Sequence, residues 1–122
     1  VAQRSCSNYI NLYGNDDVGH YFGTGDAPGA PWEKPDWYIE HSPLFYAINI
    51  HTPLLLVHSE EDLRCTLDQA EQLYRALRVL DREVGFVVFK ASSHGLSRTG
   101  KPKPRLERLR RILSWFQQYM PA

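Results

Sequence analysis

Two loops of this 122-residue chain carry the residue types from which a proton-transfer pair is built. One runs from His58 to Arg64 and holds the carboxylate of Asp62; the other runs from Ser92 to Leu96 and holds the imidazole of His94 in a polar setting. An aspartate that fixes the tautomer of a histidine lets the other ring nitrogen take a proton from a nucleophile and return it to a leaving group. Glu60 and Glu61 compete for the acid's role, but they lie nearer to the end of an apolar run and are the weaker choices. A serine would complete the set, most often on a Gly-x-Ser-x-Gly turn between a strand and a helix. No such string occurs in the chain. The nearest, Gly95 to Gly100 around Ser97, is one residue too long and lies in the loop after His94.

The elements that must position the pair follow from periodicity. Residues 54–58, Leu-Leu-Leu-Val-His, form a continuous apolar run after Pro53, as expected of a strand buried on both faces of a parallel sheet. Val84 to Phe89 reads as a second strand. Between them Leu67, Ala70, Leu73, Tyr74, Leu77 and Leu80 recur at helical intervals, and Thr66 and Gln69 have capping-box spacing, which predicts a helix over 66–80. A last helix is predicted over 104–119, with Pro104 at its first position. There Leu106, Leu109, Ile112, Leu113, Phe116 and Met120 form one stripe, and Glu107 can pair with Arg111. Strand, helix, strand, helix predicts an α/β fold: parallel strands joined by crossover helices, in a three-layer α/β/α sandwich. Ligands meet such sheets beyond the carboxyl ends of the strands, and Asp62 and His94 each follow one.

The first third is less regular. Ser5, Ser7 or Asn8 could cap a brief helix through Tyr9, Ile10, Leu12 and Tyr13. Residues 14–43, rich in Gly, Pro and Asp, show no sustained period and read as a mostly irregular excursion. Its aromatics, Tyr21, Phe22, Trp32, Trp37 and Tyr38, oppose disorder. Trp32, Trp37 and Tyr38 could line an apolar specificity pocket or hold the segment down by packing.

Composition narrows the function. With 43% apolar residues the chain can build one modest core. Fourteen basic residues balance fourteen acidic ones, which argues against nucleic acid as a partner, and Arg105, Arg108, Arg110 and Arg111 read as the wet face of the last helix. No window is apolar enough to span a membrane. Cys6 and Cys65 are too few for a disulfide framework and read as reduced thiols of a cytoplasmic protein, Cys65 as a small hydrophobe at a core edge. His58 ends an apolar strand and reads as a buried, hydrogen-bonded histidine, while His20, His41 and His51 suggest no partner. No ligand spacing marks a metal site, and the chemistry calls for no cofactor.

Residues 42 to 62, together with Gln69 to Tyr74 and Ser93 to Arg98, resemble the final third of the prolyl oligopeptidase family, nearest to its acylaminoacyl-peptidase branch. The resemblance extends to the start at Val1 and to the Pro31-Trp32-Glu33 turn. It implies the C-terminal portion of an α/β-hydrolase catalytic domain over 1–122, with Asp62 as triad acid, His94 as triad base and Arg64 holding a carbonyl of a bound peptide. The order of acid before histidine matches that fold. The expected substrates are short or N-blocked peptides, and an esterase of the same fold is the neighbouring alternative. Because Val1-Ala2-Gln3 reads as a strand already under way and the serine is missing, a fragment without activity of its own is expected. A cut sheet also leaves an open edge, so a homo-oligomer, even a purely assembling module, is a further expectation.

Overall fold

A computed structural model describes residues 1–25 and 27–120; the side chain of Phe22 lies outside the described residues. The apolar run becomes strand β2 (Leu54–Ser59), and the second becomes β3 (Val84–Phe89). They pair in parallel, in register from Leu54 against Val84 to Ser59 against Phe89. A two-residue strand, β1 (Ala2–Gln3), lies along the other side of β2, giving the order β1-β2-β3 among the described residues. β2 is therefore central, which is why its sequence does not alternate: both of its faces are covered. Leu56 enters a core with Ala47, Leu73, Leu77 and Val84, whereas Leu55 and Val57 enter a second core with Phe89 and Leu96.

Helix α4 (Leu67–Val79) and a 3₁₀ helix (Pro43–Asn49) cover the first face. The second is covered by α5 (Leu96–Thr99) and α6 (Pro102–Tyr119), whose Ile112 and Trp115 pack on the sheet. The three-layer arrangement is as expected, with each fully buried Leu contributing about 1.5–3 kcal/mol.

Three local expectations need correction. Thr66 and Gln69 do not form a capping box: the Thr66 hydroxyl donates to Asp16 Oδ1 at 2.8 Å. The Gln69 carboxamide instead accepts from the backbone N–H groups of Ser7 (2.9 Å) and Asn8 (2.8 Å) and donates to Asn8 O (3.0 Å). Helix α6 begins two residues before Pro104. Its apolar stripe is not a core face in this chain, since Leu106, Leu109 and Leu113 are half exposed or more and only Ile112 of the stripe packs inward. Ile112 and Trp115 occupy the sheet-facing side, and the leucines, at other helical positions, lie away from it.

The 14–43 excursion carries more helix than its composition suggests. After α1 (Tyr9–Asn15), capped by the Asn8 side chain, come α2 (Gly19–Gly25) and α3 (Pro35–His41). A Cβ at Gly19 would lie 2.0 Å from Leu12 O, so only glycine lets α2 close so tightly on α1. Edge-to-face contacts of Tyr9 with Trp37 and of Tyr13 with Trp32 and Tyr38 fasten the segment. The buried Tyr38 donates its hydroxyl to Gly29 O at 2.9 Å. Among the described residues no helix is long and apolar enough to cross a membrane.

Candidate active site

The loops after β2 and β3 are fastened to each other before they diverge. Glu60 N–H donates to Phe89 O (3.0 Å) and Glu61 N–H to Ser92 O (2.9 Å), while both glutamate side chains face solvent. The chain then turns inward, and Asp62 is only 2% exposed. Its Oδ1 accepts from the backbone N–H groups of Arg64 and Cys65, each at 3.0 Å, the short-range closure that aspartate favours in turns. His94 Nδ1 lies 3.0 Å from both carboxylate oxygens. A carboxylate only accepts, so Nδ1 carries the hydrogen and Nε2 presents its lone pair, on a ring that is partly open to solvent. Just before His94, Ala91 holds a left-handed φ of 48°, a conformation that costs a non-glycine residue about 1–2 kcal/mol.

His58 is buried, as expected, and contacts the same acid. Its Nε2–H donates to Cys65 O at 2.7 Å and lies 3.7 Å from Asp62 Oδ2, while its Nδ1 has no partner among the described residues. The Asp62 carboxylate is thus surrounded by N–H groups, which offsets the cost of burying its charge. Among the other histidines, His41 stacks on Trp37 and bonds its carbonyl, and His20 packs against Tyr21. Among the described residues no three His, Cys, Asp or Glu side chains are placed to hold a metal ion.

Arg64 stands at the rim, and its partner is neither Glu60 nor Glu61. Nε donates to Asp17 Oδ1 at 2.7 Å and Nη2 to Asp17 Oδ2 at 3.3 Å. Asp17 is itself anchored by its backbone N–H to Leu63 O at 2.8 Å. The hydrogen bond from Arg64 holds the Asp17 carboxyl below the usual carboxylate range, against a smaller opposing effect of burial. For neighbouring Asp16 burial prevails over its bonds to Thr66 and raises the carboxyl. The position of Asp17, 47 residues before Arg64, leaves no mark in the local sequence, so this pair was not foreseen.

Two concavities meet at Arg64 and His94. One, of about 300 Å³, has charged residues in its lining and includes Asp17, Glu61, Ser93 and Arg98. The other, of about 330 Å³, is largely apolar and includes Cys6, Tyr9, Leu12 and Cys65. Trp32, Trp37 and Tyr38 are not in the described lining of these two concavities, and their ring contacts pack the excursion against α1 and within itself. Burial pushes the thiol of Cys6 up to about 12 and that of Cys65 up to about 11, which keeps both as neutral, small hydrophobes.

A family model described as the prolyl oligopeptidase family matches residues 1–122. Among curated proteins, the uncharacterized peptidase YuxL of Bacillus subtilis is 44% identical over 120 residues, covering 98% of this chain and 18% of that protein. The human acylamino-acid-releasing enzyme is 36% identical over 106 residues, covering 80% of this chain and 14% of the enzyme. Among solved structures, an acylaminoacyl peptidase of Pyrococcus horikoshii superposes with a TM-score of 0.91 at 37% identity, over 96% of this chain and 19% of that one. The chain therefore spans less than a fifth of the length of these relatives. Its parallel sheet with helices on both faces is part of an α/β-hydrolase fold.

Proposed function

This chain belongs to the prolyl oligopeptidase family, and on that footing we propose that it supplies the acid and the base of a serine peptidase active site. The observation that carries the reading is the buried Asp62 carboxylate 3.0 Å from His94 Nδ1, beyond the carboxyl ends of adjacent parallel strands. In the proposed cycle a serine from a Gly-x-Ser-x-Gly turn outside residues 1–122 attacks the peptide carbonyl, and its hydroxyl proton passes to His94 Nε2. That nitrogen returns the proton to the departing amine, and water then repeats the exchange to release the acyl group. Asp62 holds the ring in the tautomer each transfer needs. Arg64 offers N–H donors to a carbonyl of the bound chain, and the concavity of Cys6, Tyr9, Leu12 and Cys65 suits an apolar side chain.

Short or N-blocked peptides are the proposed substrates, a class that the names of several relatives favour. Residues 1–122 form part of one catalytic domain in this reading. Two free thiols favour the cytoplasm, and for residues 1–122 taken alone the open edge of β1 favours a homo-oligomer, which analytical ultracentrifugation of that piece tests directly. The decisive assay is hydrolysis of an N-acetyl-aminoacyl nitroanilide. The full-length protein should turn it over, His94→Ala should abolish turnover, and the chain 1–122 alone should be inert. Undiminished hydrolysis after His94→Ala would exclude the proposed mechanism.

A further inference from the structure

The Arg64–Asp17 pair has the geometry of a built feature. Surface ion pairs are usually worth little because two long side chains must be frozen to form them. Here the carboxylate is on the short side chain of Asp17, whose backbone is tied to Leu63 O. Asp16, next to it, is tied to Thr66 through both N–H and hydroxyl. The segment 16–17 is thereby fastened on both sides of Arg64, so the guanidinium finds its partner already in place. A guanidinium has five N–H donors. Two of Arg64's, on Nε and Nη2, go to Asp17, and three remain for the concavity shared with His94.

We propose that Asp17 is a specificity-determining residue, which makes Arg64 a reader of neutral carbonyl oxygens instead of a clamp for anions. This rests on the reading above, in which Arg64 faces the bound substrate. The charges around the concavity balance, with Arg64 and Arg98 against Asp17 and Glu61. A neutral amide or acyl oxygen needs only N–H donors in the right direction, and the paired guanidinium keeps those. A carboxylate also needs net positive charge to offset its lost hydration, and Asp17 cancels it. A carboxylate bound on the far side of the guanidinium would sit roughly 6–7 Å from Asp17. Both side chains are nearly half exposed, and at an effective dielectric of about 40–50, between the near-surface value and that of water, removing the aspartate charge should favour such an anion by about five- to tenfold.

The experiment is calorimetric titration of the full-length protein with N-acetyl-phenylalaninamide, which is neutral, and N-succinyl-phenylalaninamide, which carries a carboxylate. The wild-type protein should prefer the acetyl ligand. Asp17→Asn, which keeps the shape and removes the charge, should move the ratio of Kd values about five- to tenfold towards the succinyl ligand. In an Arg64→Gln background the same substitution should leave the ratio unchanged. Asp17→Ser serves as a second variant, with melting temperature as the check on folding. A ratio that moves less than about twofold, an equal shift without Arg64, or no binding of the acetyl ligand to the wild-type protein would each overturn the proposal. Hydrolysis insensitive to His94→Ala would sink the peptidase reading alone, since the shift in binding ratio reads Asp17 and Arg64 and is repeated with His94→Ala in each protein.

Discussion

Replacing Asp62 by asparagine separates the chemistry of the proposed pair from its structure. The asparagine carbonyl can take the place of Oδ1 and keep the N–H groups of Arg64 and Cys65, each now 3.0 Å away. The amide nitrogen then replaces Oδ2 and faces His94 Nδ1 as a donor, at what is now 3.0 Å. Oδ1 is also 3.0 Å from Nδ1 but already accepts the two backbone N–H groups, so the better pairing is the amide N–H to a lone pair at Nδ1, with the ring hydrogen on Nε2. In that tautomer Nε2 cannot accept the serine proton. The expected loss is about 10⁴-fold in kcat with KM little changed, or roughly 5.4 kcal/mol of transition-state stabilisation. The fold should lose much less, about 1–3 kcal/mol, because two of the carboxylate's bonds survive as neutral ones. Steady-state kinetics of the full-length variant, paired with chemical denaturation, tests both figures, and the ¹⁵N shifts of the His94 ring read the tautomer directly. A drop in kcat below about a hundredfold, or a ring still protonated at Nδ1, would refute the reasoning.

Three further outcomes follow from the packing. Gln69→Leu strands the buried N–H groups of Ser7 and Asn8 and the carbonyl of Asn8, and should cost roughly 2–4 kcal/mol in a denaturant titration. Gly85→Ala places a methyl group 2.8 Å from the Trp115 ring and 3.0 Å from Leu55, and should lower stability by about 1–3 kcal/mol. The thiols set an alkaline limit, since burial raises Cys6 from 9.0 to about 12 and Cys65 from 9.0 to about 11 in the folded state. A raised folded pKa means that stability is complete below the unfolded value and is lost as pH climbs from there through the folded one. Denaturation midpoints should therefore fall between pH 9.0 and about 11–12, and less steeply in Cys6→Ala. Alkylation by iodoacetamide at pH 8 should be far slower than in denaturant, and equal rates would contradict the burial.

Legibility in the sequence followed the reach of the signal. The runs at 54–58 and 84–89 could be read because a central parallel strand needs apolar residues on both faces, a requirement satisfied within six residues. Helix α4 was legible to within a residue at each end because its thirteen residues repeat one face several times. Helices α2 and α3 were not, because seven residues make barely two turns and give periodicity too little length. What holds α3 is tertiary, the rings of Tyr9 and Tyr13 against those of Trp37 and Tyr38, and no window of 14–43 contains both halves of that contact. Gln69 misled for the same reason: its spacing from Thr66 fits a local cap, while its actual partners lie 61 and 62 residues away.

The site divides along the same line, and the division explains why the third acidic residue of the loop is the one that turns inward. Glu60 and Glu61 use their backbone N–H groups to fasten the β2 exit to the β3 exit, which leaves their side chains outside. The next residue, released from that ladder, can fold back over Ser59, to which its N–H donates at 3.3 Å. A side chain with a single methylene keeps its oxygen within reach of N–H groups two and three residues on, which makes the closure around Asp62 Oδ1 local to residues 59–65. His94 needs only to follow the neighbouring strand to arrive. Arg64 differs, because its direction is set by Asp17 from the α1–α2 corner. That corner, more than the dyad, is where a relative with the same acid and histidine could acquire a different substrate preference.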